Sequence, residues 1–115
     1  MNPKNSRAAA ALAIEKVIYQ GRQLNRTLDP VLQSWSAQDR RFITEIVNGV
    51  VRWFWLLEAF ARGVMLKPLR KRDQDIYCLL LAGLYQLEFM RVPNYAGVSE
   101  SVNAASALGK SWAGG

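Results

Sequence analysis

Positive charge is the chemistry-bearing feature that gathers in this sequence. Lys67, Arg70, Lys71 and Arg72 place four cations within six residues, and Lys4, Arg7, Arg22 and Arg26 collect around the first helical pattern. Ammonium and guanidinium groups at this density suit a polyanion, because each can neutralise a phosphate and release its condensed counterions. Arg52 is followed closely by Trp53, Trp55 and Phe60. Aromatic rings beside an arginine can stack on unpaired RNA bases. Together Lys4, Arg7, Arg22, Arg26, Arg52, Lys67, Arg70, Lys71 and Arg72 are the candidate RNA-binding residues. A plainer reading stands beside this one: a basic turn is often only solvated, and aromatics at helical spacing often belong to the core. On that count Phe60 is expected inside, while Trp55 is balanced between the two roles.

Catalytic constellations are missing. The sequence has no His, which removes the commonest general acid–base and the commonest metal ligand. Cys78 is the only cysteine and lies in an apolar run, so no disulfide or thiolate metal site can form. It is expected to be a buried, inert thiol in a reducing cytoplasm. Asp73 and Asp75 are two apart and would not face each other on a helix; they are expected to serve the positive end of the helix dipole. Glu100 is an isolated carboxylate. Gly109, Gly114 and Gly115 make no phosphate loop, because no strand precedes them and no Lys-Ser/Thr follows. No catalytic residue, metal site or cofactor site is therefore expected within the chain. Its opening, MNPKNSRAAAALAIEK, lacks the apolar core of a secretory signal, and no apolar run reaches membrane-spanning length.

The elements that must carry these residues are helices. At 115 residues and net charge +6, half hydrophobic and 21% charged, the chain suits one globular domain, residues 1–115, with a polyanionic partner. From Ile76 to Tyr85 there is no charge and no Asn, Gln, Ser or Thr. Leu79, Leu80, Leu84 and Leu87 cover one helical face, and Ile76, Leu81 and Tyr85 widen it. A helix apolar nearly all round belongs inside, so residues 73–91 are expected to form a buried central helix. Gly83 within it suggests close approach of a neighbouring backbone.

Upstream, Asn2-Pro3 reads as a cap and first turn, with Leu12, Ala13, Val17 and Gln20 on one face and Gly21 as the helix-ending glycine. Leu24, Leu28, Val31, Leu32 and Trp35 repeat with helical spacing, although Asp29-Pro30 should bend or restart that helix. Ser36 with Asp39 reads as a cap for a helix whose inner side is Phe42, Ile43, Ile46, Val47, Val50 and Val51. A bend is expected at Arg52–Trp55, then a second pattern through Leu56, Leu57, Phe60 and Val64. Val92-Pro93 should stop the central helix, and Asn94 should cap a last one carrying Tyr95, Val98, Val102 and Ala105. No strand signal appears. The expectation is an all-α bundle of about six helices.

Gly49-Val50-Val51-Arg52, Gly83-Leu84-Tyr85-Gln86-Leu87, and Arg91-Val92-Pro93 with Ala96, Val98, Glu100 and Val102 carry a resemblance. In order and spacing, from about Arg7 to Ala113, the chain resembles the NusB-like helical domain. The likeness is to the version found at the N-terminus of the Sun/Fmu family of bacterial 16S ribosomal RNA cytosine-5-methyltransferases. That resemblance implies a compact NusB-like bundle acting as an RNA-binding accessory domain, which positions ribosomal RNA for a catalytic domain. It also implies that the family pattern continues past Gly115 into a further amphipathic helix, then a catalytic domain with the S-adenosylmethionine site and the cysteine nucleophile. On that reading the present chain is a truncated piece without catalysis or cofactor, and Cys78 matches no catalytic motif. The implied partners are ribosomal RNA and the parent's own catalytic domain, not a membrane. Self-association through the groove of the missing helix, near Leu87, Val102 and Ala105, is a further expectation. Two alternatives stay open: a free-standing antitermination-type factor or protein-interaction module, and a structural brace for the catalytic half.

Overall fold

Asn5 caps the first helix by accepting, through its side-chain oxygen, the N–H groups of Arg7 at 2.9 Å and Ala8 at 3.1 Å. Two donors that a helix start leaves without partners are thereby satisfied. The structure, a computed structural model, describes residues 5–64 and 71–90. Among these residues all regular structure is helical: α1 (Ser6–Ile18), α2 (Leu24–Leu32), α3 (Ala37–Arg52), α4 (Phe54–Val64) and α5 (Gln74–Tyr85). A 3₁₀ turn, Lys71–Asp73, leads into α5, and a π-helical turn, Gln86–Met90, extends it. The all-α expectation holds. The helix start differs from expectation, because extended Asn5 rather than Asn2 is the cap. The last expected helix, from Asn94, and the segment around Lys67 and Arg70 lie outside the described residues.

Gly21 ends α1 at a φ of 66°, in the left-handed region that glycine enters without a Cβ penalty. The Arg22 N–H then reaches back to the Lys16 carbonyl at 3.0 Å. Pro30 does not bend or restart α2 but sits inside it. Pro30 and Arg26 are both exposed, so water can serve the Arg26 carbonyl that loses its donor. After α2, Arg40 spans the connection, donating from Nε to the Trp35 carbonyl at 2.8 Å and from Nη2 to the Gln33 carbonyl at 3.3 Å. Ser36 caps α3 as expected. Its Oγ accepts the Asp39 N–H at 3.2 Å and donates to the Asp39 carboxylate at 3.1 Å. The expected bend falls at Trp53, whose N–H closes α3 on Gly49 while its carbonyl receives the Leu57 N–H that opens α4.

Two helices, not one, occupy the centre. α5 is buried through Ile76, Cys78, Leu79, Leu81, Ala82 and Tyr85, and α1 through Ala8, Ala9, Ala10, Ala11, Ala13 and Ile14. The alanines of α1 keep its surface thin, so α3 and α5 both pack closely against it. Arg7 near the start of α1 bonds Gln86 beyond the end of α5, while Tyr19 after α1 lies close enough to Cys78, in the first half of α5, for the two groups to influence each other's ionisation. α1 and α5 therefore run antiparallel. The buried face of α5 is also turned from the expected one: Leu81 is fully enclosed, Leu80 and Leu84 are half-buried, and Leu87 is exposed. No helix among the described residues is long and apolar enough to cross a membrane.

Candidate nucleic-acid interface

Antiparallel pairing decides where the basic residues meet. Arg22 lies just past the end of α1, Arg26 in the first turn of α2, and Lys71 and Arg72 on the 3₁₀ turn that starts α5. Since the end of α1 and the start of α5 share one end of the bundle, these exposed cations gather there. Arg22 is tethered loosely, its Nε donating to Gln20 Oε1 at 3.3 Å. Asp73 and Asp75 stand where the sequence placed them, at the N-terminus of α5, and the Asp75 carboxylate accepts the Ile76 N–H at 2.8 Å. Lys4, Lys67 and Arg70 lie outside the described residues.

Arg7 is used differently. Its Nε donates to Gln86 Oε1 at 2.9 Å, and its guanidinium lies 4.9 Å from the centroid of the Phe42 ring. Gln86 is buried and turns its own amide onto the Ala82 carbonyl at 3.1 Å. Arg7 thus ties α1 to α3 and to the π turn. It is partly buried and its Nε is engaged, which sets it apart from the exposed cations with which the sequence grouped it.

A second cluster forms at the α3–α4 junction. Trp53 stacks on Phe89 with ring centroids 5.5 Å apart, and Phe89 stacks on Tyr85 at 5.1 Å. Arg52, exposed, holds its guanidinium 5.7 Å from the Trp53 ring. At the inner end of the ladder the Tyr85 ring lies on Gly49, where any Cβ would overlap it. Tyr85 has its hydroxyl pKa raised, first by burial, then by the Glu45 carboxylate it hydrogen-bonds, while Arg52 pulls the other way. The ladder connects an exposed arginine to the core through fixed rings. Sequence reading quoted Gly49 and Tyr85 as motif residues without finding their contact, and it passed over Phe89. The spacing of Tyr85 and Phe89, one helical turn apart, was the available signal.

Trp55 is the most exposed large hydrophobic residue described, at 69%. Phe60 is 38% exposed and does not sit in the core as its helical spacing suggested; Leu57 and Ala61 fill the inner side of α4 instead. Behind that helix, Tyr77 donates to the Glu58 carboxylate at 3.2 Å, and the Tyr19 ring meets Phe54 edge-on at 6.4 Å. Burial, followed by neighbouring charges, pushes both Tyr19 and Tyr77 up to about 12. Cys78 is fully enclosed, and burial above all pushes its thiol far up, so it is not a thiolate. Among the described residues no three His, Cys, Asp or Glu side chains group to hold a metal. The groove expected near Leu87, Val102 and Ala105 is described only at Leu87, which is exposed. The arrangement offers charge neutralisation and ring stacking.

Comparison with known proteins adds the following. A profile described as the NusB family matches residues 4–115. Over 111 residues the chain is 34% identical to a protein of Coxiella burnetii named probable ribosomal RNA small subunit methyltransferase B, covering 96% of this chain and 25% of that protein. It is 38% identical over 111 residues to the ribosomal RNA small subunit methyltransferase B of Pseudomonas syringae pv. tomato, covering 96% and 25%. It is 39% identical over 104 residues to the protein of that name from Vibrio cholerae, covering 90% and 24%. The chain spans about a quarter of the length of these curated relatives.

Proposed function

Because the chain belongs to the NusB family, we propose that it is an RNA-binding accessory domain that positions ribosomal RNA for methylation by a separate catalytic domain. The observation that carries this reading is the gathering of exposed Arg22, Arg26, Lys71 and Arg72 around one end of the bundle, with exposed Arg52 at a helix junction. Such a surface binds phosphates through charge. Supporting it, the relatives are named for methylation in the small ribosomal subunit, and the matched region is only a quarter of each.

The reaction in view is transfer of a methyl group to a cytosine of 16S ribosomal RNA, with S-adenosylmethionine as the donor. The described residues do not fit that cofactor. They are helical throughout, without the strand-to-helix turn that cradles a nucleotide, and the one thiol is sealed within α5. No step of methyl transfer is assigned to them. Their part is to hold phosphates and to orient the strand.

Ultraviolet crosslinking of the chain to small-subunit ribosomal RNA, followed by mapping of both partners, tests the proposal. Crosslinked peptides should come from the Arg22–Arg26 and Lys71–Arg72 segments and from the α3–α4 junction, and the crosslinked nucleotides should cluster in one region of the RNA. Crosslinks spread evenly over the RNA, or peptides drawn from elsewhere in the bundle, would overturn it.

A further inference from the structure

The α3–α4 junction holds features that charge alone does not explain. Trp55 presents a 69% exposed indole at the start of α4 and has no ring partner among the described residues. Three residues before it, Arg52 is held on the Trp53 ring, and Trp53 is fixed in turn by Phe89 and Tyr85. Tyr85 rests on Gly49, inside the core. A lone exposed indole is ordinary in itself, but a flat ring close in sequence to an arginine is also what single-strand recognition uses to stack a base. The exposed residues after Trp55 are Ala59, Phe60, Arg62 and Gly63, so Phe60 is the one other large apolar side chain exposed on this helix among the described residues. An exposed π surface three residues from an exposed cation that rests on a neighbouring ring matches one ligand chemistry: a flat, electron-rich ring joined to an anion.

We propose that Trp55 and Arg52 form a stacking site for one unpaired RNA base, the indole carrying the base and the guanidinium meeting its adjoining phosphate. The site deepens the RNA-binding reading above and rests on it. The ladder behind Arg52 explains why the site is built where it is. The ring contact with Trp53, which is itself stacked on Phe89, biases the Arg52 guanidinium toward one place on the rim, so less side-chain freedom is left to lose on binding. An arginine on a flexible stem would attract phosphate anywhere, whereas this one sets the position of a phosphate relative to the indole. The rest of the basic surface supplies attraction without register.

Titration of the whole chain with oligoadenylate, and with the same strand carrying one abasic nucleotide, tests the site. Trp55→Ala should weaken oligoadenylate binding by roughly 5- to 150-fold, the range found for loss of one base–aromatic stack. Trp55→Phe should restore most of that loss, and the abasic strand should bind wild type and Trp55→Ala more nearly alike. Arg52→Ala should lower the salt dependence by about one phosphate's share, about 0.7 in the logarithmic slope. Trp55 is exposed, so circular dichroism melts of the variants should match wild type. If wild type binds RNA and Trp55→Ala binds it equally well, the stacking site is wrong while the RNA reading stands. If wild type binds no RNA, both fall. If Trp55→Ala leaves RNA affinity unchanged but turns a self-associating chain into a monomer in sedimentation, the indole is a protein contact and the proposal fails.

Discussion

Replacing Gly49 by Ala should destabilise the domain, although on helix propensity alone the change favours α3. A Cβ at this position would overlap the Tyr85 ring. That ring cannot simply step aside, because Phe89 stacks on it at 5.1 Å and Glu45 holds its hydroxyl. Overpacking of a well-filled site costs about 1–3 kcal/mol. The gain from Ala over Gly within a helix is about 1 kcal/mol. A net loss of up to about 2 kcal/mol follows, which for a chain of this length lowers Tm by up to about 8 °C. The sign should reverse when the ring is shortened. In a Tyr85→Leu background the overlap is gone, so Gly49→Ala should be neutral or raise Tm by up to about 4 °C. Thermal melts of wild type, both single variants and the double variant close the cycle, with an expected coupling equal to the overpacking cost, about 1–3 kcal/mol. An equal cost of Gly49→Ala in both backgrounds would refute the contact, and with it the anchoring of the aromatic ladder.

Other outcomes follow from burial and bonding. Leu81→Ala should cost about 2–5 kcal/mol, since Leu81 is fully enclosed, whereas half-buried Leu84→Ala should cost clearly less; denaturant melts that rank them the other way would mean α5 is turned differently. Arg7→Ala leaves the buried Gln86 without its donor and should destabilise by roughly 1–3 kcal/mol, with RNA affinity of the folded variant little changed. Tyr19 and Tyr77 ionise near 12 in the fold against 10 in the unfolded chain, so the fold favours their neutral forms. The stability they contribute is complete below pH 10 and is lost as pH rises towards 12. Ultraviolet titration should show Tyr19, Tyr77 and Tyr85 ionising late in the native chain, with one late tyrosine fewer in Tyr77→Phe.

Much of the fold is readable from residues that act on their own neighbours. Gly21 and the Ser36–Asp39 pair mark helix ends through local geometry, and the apolar run from Ile76 to Tyr85 identifies α5 as interior. Readings that needed to know what lies across the core went astray. Alanine carries little hydrophobic signal, so the burial of Ala8–Ala11 was hidden, though small size is what lets α3 and α5 approach. Pro30 was taken as a break, yet an exposed helix surface tolerates a missing donor. Leu84 looked more central than Leu81, because a helix apolar all round does not say which side its neighbours occupy.

The site was legible to a similar degree. Composition points to a polyanion, and Arg22, Arg26, Arg52, Lys71 and Arg72 are exposed, which leaves them accessible without showing what they bind. Arg7 was indistinguishable in sequence from these, since only the fold reveals Gln86 and Phe42 beside it. Gly49 and Tyr85 stand 36 positions apart, and no local pattern announces their contact.

Salt dependence of single-stranded RNA binding tests the central claim most directly. With about four phosphates neutralised, log K should fall against log salt with a slope of about −3. Replacing both Lys71 and Arg72 by Ser should flatten it to about −1.5 in protein that circular dichroism shows to be folded. A slope unchanged in the double variant, or no RNA binding by the wild-type chain at low salt, would contradict the account.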